Sequence, residues 1–142
     1  MNESVDENSR QLSKSEAELV LGVLIQRGVV GINFDAGECR RKICELGLTL
    51  PKEGQTCLMY GRDGGRSLYL FLCFPDRDRE RSVGGPGMGI WGFRFEIARY
   101  RSNPVAGMGV DQAFFMLTMA VAVLGGFDLA TCRLEAERPA RN

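Results

Sequence analysis

The chain contains no histidine. That absence removes Ser-His-Asp and Cys-His nucleophilic catalysis, imidazole acid–base chemistry, HExxH-type zinc sites and histidine-based pH switches. Net charge is absent too: 18 Lys and Arg balance 18 Asp and Glu, so no global field draws the protein to nucleic acid or to an anionic membrane. Residues Met1 to Glu16 are polar and acidic and lack the basic start and apolar core of a signal peptide, which predicts a cytoplasmic protein. The five cysteines are odd in number and irregularly spaced, a pattern of reduced thiols rather than of a disulfide framework. A membrane-spanning run is also missing. The longest apolar stretch, Ala113 to Leu124, would make a helix of about 18 Å, against a hydrocarbon core of about 30 Å.

What is present is the composition of one globular domain. With 142 residues, 44% hydrophobic and 25% charged, the chain is long enough to bury about two thirds of its unfolded surface without a disulfide or metal. The pattern predicts disordered tails at 1–12 and 136–142 and a single α+β domain over 13–135. It has two N-terminal helices, a three- to four-stranded antiparallel sheet and a long buried C-terminal helix. That last helix, Val110 to Phe127, organises the rest, since between Ala113 and Leu124 only Thr118 interrupts the apolar side chains. Asp111 is its expected N-cap and Gly125-Gly126 its stop.

In chain order, Ser13-Lys14-Ser15-Glu16 has capping-box spacing and opens a first helix that ends near Gly28. A short connection, Val29 to Phe34, leads to a second helix capped by Asp35. Its apolar face is Ala36, Cys39, Ile43 and Leu46, it stops at Gly47, and Glu38 is placed to pair with Lys42. Alternation then predicts strands over Thr56 to Tyr60 and Ser67 to Phe74, joined by a Gly- and Asp-rich turn, and a third strand over Ile90 to Tyr100. The second strand is apolar on both faces, so it is either central and covered twice or in contact with another subunit. Leu129 to Leu134 can add an edge strand.

No motif identifies a family. Gly87-Met88-Gly89-Ile90-Trp91-Gly92 matches GxGxxG, but a charged loop precedes it and a strand follows, the inverse of a dinucleotide site, and no cofactor is expected. Cys39 and Cys44 fall about 140° apart around their helix and cannot share a metal; no metal is expected. Cys39, near a helix N-terminus and beside Arg40, is the thiol best placed for a lowered pKa. The only lysines are Lys14, Lys42 and Lys52, so arginine supplies the remaining basic residues, and its forked guanidinium suits protein contacts. The segment Pro75 to Gly89 is long for a hairpin loop and rich in Arg and Gly, and reads as either a flexible solvated connector or a partner-binding loop. Arg77, Arg79, Arg81 and Met88 are its contact residues, with Arg62 and Arg66 at the preceding turn.

The expected function is therefore a non-enzymatic protein-binding module of the adaptor, inhibitor, immunity or chaperone type, working as a homodimer. The alternative is a nucleic-acid-associated regulator using the basic triplet Arg40, Arg41 and Lys42; a thiol-dependent enzyme is third.

Overall fold

The computed structural model describes residues 12–33, 35–52, 56–75, 88–126 and 133–136. In chain order the elements are α1 (Lys14–Gln26), β1 (Val30–Asn33), α2 (Ala36–Glu45), β2 (Cys57–Asp63), β3 (Ser67–Pro75), β4 (Met88–Glu96), α3 (Ile97–Ser102), α4 (Val110–Leu124) and β5 (Arg133–Ala136). The strands form one sheet in the order β1-β4-β3-β2-β5. Its first four strands are antiparallel, while β5 joins β2 in parallel. The fold is α+β, with two helices before the main sheet and a long helix near the C-terminal end.

The helix ends follow local chemistry. The Ser13 hydroxyl accepts from the Glu16 amide (3.1 Å) while the Glu16 carboxylate accepts from the Ser13 amide (2.8 Å), completing the capping box of α1. Asp35 accepts from the amides of Gly37 and Glu38 and opens α2. Gly28, Gly47 and Gly126 follow the three longer helices with φ of 75°, 78° and 77°, the left-handed conformation that releases the chain from a helix. At α4 the cap differs from expectation. Gly109 is the N-cap and offers no side chain, and Asp111 lies inside the first turn, where its carboxylate still complements the helix dipole.

β3 is the central strand, and its two apolar faces are both covered from within the chain. On one face Leu68, Leu70 and Leu72 join Leu58, Phe93 and Phe95 beneath α1 and α4, which contribute Leu24, Ala113, Phe114, Leu117 and Val121. On the other, Phe71 and Cys73 join Cys57, Met59 and Ile90 beneath α2, which contributes Cys39 and Ile43. Strand register places these residues in rows, for example Asn33–Gly92–Phe71–Met59 and Gly31–Arg94–Tyr69–Gly61. Burying each such side chain contributes about 1.5–3 kcal/mol, which sustains the three layers.

Two expectations give way. Val30–Asn33, read as part of a connection, is a strand paired with β4. The third strand stops at Glu96 rather than Tyr100, and Ile97–Ser102 form α3. The turn is enforced by burial: Ile97 and Tyr100, three residues apart, both enter the core only if the chain coils. The Tyr100 hydroxyl donates to the Met108 carbonyl (2.8 Å) and accepts from the Val105 amide (3.2 Å), which fixes the loop that leads into α4.

Candidate functional site

Two surfaces combine accessibility with defined chemistry. The first is a cleft of about 550 Å³ between α2 and the sheet. Glu38, Arg41, Lys42 and Glu45 recur at intervals of three and four residues, so they form one stripe of α2 along the cleft. Its floor comes from the row Gly31, Arg94 and Tyr69 and from Gly92 and Phe71. The Tyr69 and Phe71 rings lie almost parallel, with centroids 6.1 Å apart and planes 5° from each other.

Most charges in the cleft are satisfied internally. Lys42 Nζ lies 3.1 Å from Glu45 Oε1 and 5.1 Å above the Tyr69 ring, and hydrogen bonding to Glu45 raises its pKa, holding the ammonium charged. This corrects the expected Glu38–Lys42 pair: the partner chosen is one turn toward the C-terminus. The Glu96 carboxylate bridges two guanidiniums, Arg94 Nη2 at 2.8 Å and Arg99 Nε at 3.4 Å. Among the described residues, Glu38 and Arg41 are in no ion pair.

The second surface is apolar and belongs to α1 and α4. A groove of about 180 Å³ between them is lined by Leu19, Val23, Leu24, Val105, Met108 and Met116, among others, with no polar side chain at its wall. Leu19 at its wall is 68% exposed; elsewhere on the two helices Phe115 is 54% and Ile25 38% exposed. The sequence made α4 apolar all round and therefore buried on several sides; the structure buries most of it against the sheet and α1 and leaves Phe115 exposed and Met116 half-buried.

The residues singled out from sequence do not converge. Arg77, Arg79 and Arg81 lie outside the described residues. Met88 opens β4 opposite Pro75, whereas Arg62 and Arg66 sit at the β2–β3 turn, the far end of β3. A nine-residue strand spans about 30 Å, so these positions cannot meet a small ligand together. Arg62 instead borders a hollow with Arg101 and the first turn of α4. The basic triplet is divided as well: Lys42 is engaged in the cleft, Arg41 stands at its lip, and Arg40 is half-buried on another side of the helix.

Cys39 takes the core place that its position on the apolar face of α2 predicts, and not the lowered pKa of a reactive thiol. It is 1% exposed, and burial, with Asp35 and Glu38 adding negative potential, pushes its pKa up from the ordinary value of 9.0. Above that ordinary value the unfolded thiol ionises while the folded one stays protonated, so Cys39 makes folding less stable as pH rises through the alkaline range. Cys57 and Cys73 are also buried and Cys44 is exposed. Alkylation of the native protein at neutral pH is therefore expected to modify Cys44 and to spare Cys39, Cys57 and Cys73 until denaturant is added; peptide mapping checks this, and native labelling of Cys39 would contradict it.

The GxGxxG glycines have a structural use. Gly89 and Gly92 lie within β4, and the Phe74 ring crosses Gly89 so closely that a side chain there would collide with it. Among the described residues no group of three or more Cys, Asp or Glu is placed to hold a metal ion, and no helix is long and apolar enough to cross a membrane. Compared with known proteins, the chain matches no family model, no curated protein and no solved structure.

Sequence reasoning missed β1 and the cleft it borders. The signal for β1 was the β-branched run Val29-Val30-Gly31-Ile32 between Gly28 and Asp35. The cleft has no local signal, since it depends on register across three strands.

Proposed function

We propose that the protein is a non-enzymatic cytoplasmic protein-binding module that works as a homodimer through the apolar face of α1 and α4. The observation that carries this reading is the exposure of Leu19 at the wall of a wholly apolar groove, with Phe115 and Ile25 exposed elsewhere on the same two helices. Single apolar side chains on a surface are ordinary, but a large one that opens into an apolar groove leaves a cost in water that a protein partner removes. A second copy supplies the same groove and the same anchors in a two-fold arrangement. The Arg- and Gly-rich segment at 76–87 remains a candidate contact for a further partner, with Arg77, Arg79 and Arg81 as its forked donors.

The test is the doubly substituted variant Leu19→Asp with Phe115→Asp. Both positions are exposed in the monomer, so at a dilution where the parent is itself monomeric the change should leave the melting temperature within a few degrees of the parent. It should weaken self-association more than a hundred-fold, because two charges would be desolvated at the interface. Light scattering over a dilution series reads the result: a concentration-dependent dimer in the parent and a monomer in the variant. A parent that is monomeric throughout the micromolar range, or a variant that stays dimeric, overturns the proposal.

A further inference from the structure

We infer that the outer edge of β1 receives an extended segment of another protein, in which an aromatic residue lies over Gly31 inside the α2 cleft. This rests on the reading that the protein is a binding module and names the chemistry of its partner. β1 is at the edge of the sheet, so one side of its backbone has no neighbouring strand among the described residues. The Glu96 amide donates to the Val29 carbonyl, which fixes the phase of the ladder: Gly31 exchanges its hydrogen bonds with β4, and the N–H and C=O groups of Val30 and Ile32 face away from it. An incoming strand pairs with those groups, as in other cases of strand addition.

The side-chain preference follows from the cleft. A strand laid along β1 extends the row Tyr69–Arg94–Gly31 by one residue, on the same face as the cleft. A side-chain carbon at Gly31 would meet no atom within 4 Å, so the room above this glycine is empty. The protein itself shows how such room is filled, since Phe74 lies across its cross-strand partner Gly89 in the β3–β4 ladder. An aromatic residue opposite Gly31 repeats that arrangement and reaches toward the Tyr69 ring.

Charge selects the flanking residues. Lys42 and Arg94 are held by Glu45 and Glu96, while Glu38 and Arg41 line the cleft outside any ion pair among the described residues. These two stand one turn apart, about 5–6 Å, close to the roughly 7 Å between alternate residues of a strand. The matching segment carries one base and one acid at successive same-face positions, two residues apart, beside the aromatic residue.

The experiment is selection of a displayed library of random linear peptides on the full chain, followed by affinity measurement on variants. Enriched peptides should share an aromatic residue with, beside it, two opposite charges spaced two residues apart. Ile32→Pro removes an outward N–H at an edge position that tolerates proline, and Gly31→Val fills the open room while keeping every backbone group. Each should weaken the peptides more than ten-fold. Exchanging the lip charges, Glu38→Arg with Arg41→Glu, should invert the preferred order of the flanking charges. Failure to enrich any peptide, enrichment without an aromatic residue, or undiminished binding to both single variants overturns the inference. If Ile32→Pro instead dissolves a dimer, the edge is occupied by a second copy and the inference is likewise wrong. A dimer that persists while peptides fail leaves the apolar-face reading standing and removes this one alone.

Discussion

Leu117→Ala is expected to lower unfolding free energy by about 2–5 kcal/mol in denaturant melts. Leu117 has no exposed surface and lies in the larger core, among side chains of α1, α4 and the sheet. Truncation removes apolar contacts and leaves a cavity that packed neighbours can close only in part. Val121, one turn further along α4, and Ala113, one turn before, are held by the same neighbours and cannot move in without dragging the helix. A loss below about 1 kcal/mol would mean that α4 does not pack on the sheet as described.

Phe71→Ala tests the opposite face. Phe71 is 2% exposed and fills the smaller core with Cys39, Ile43, Met59 and Ile90. Its removal is expected to cost about 3–5 kcal/mol, a loss of the size associated with a buried ring. The magnitude decides between two ways of covering the second face of β3. If α2 covers it within one chain, the cost is the same at low and high protein concentration. If another subunit covers it, the cost grows with dilution, because dissociation and unfolding become linked. The structure predicts the first outcome, and denaturant melts at two widely separated concentrations distinguish them.

Legibility in the sequence followed the range of the interactions concerned. The capping box at Ser13, the Asp35 cap and the glycines after three helices are settled within four residues, so local chemistry sufficed. The double-sided burial of β3 was visible in Leu68 to Phe74 because a central strand must be apolar on both faces. Misreadings arose where tertiary contacts overrode a local pattern. The alternation of β4 continues through Ile97, yet Tyr100 can reach its two backbone partners only after the chain turns into α3. Lys42 had carboxylates on either side along its helix, and Tyr69, distant in sequence, sits where the Glu45 pairing also places the ammonium over its ring.

The candidate sites were less legible than the fold for the same reason. The cleft is assembled from β1, β3, β4 and α2, and its most informative residue, Gly31, is defined by an empty volume that no sequence pattern reports. The apolar face was half legible. The sequence held more apolar surface than one small sheet seemed able to bury, but which part stays open depended on how far α1 reaches over α4. Leu19 and Leu24 both read as apolar positions of α1; one is exposed and the other is in the core.

The central claim is that the exposed face of α1 and α4 is covered by a second copy in solution. An isotope-filtered NOE experiment on an equal mixture of labelled and unlabelled protein tests it most directly. The account predicts intermolecular contacts from the Phe115 ring and from the methyl groups of Leu19, Val23 and Met116. Intermolecular contacts confined to other surfaces, or none at all at high micromolar concentration, would contradict it.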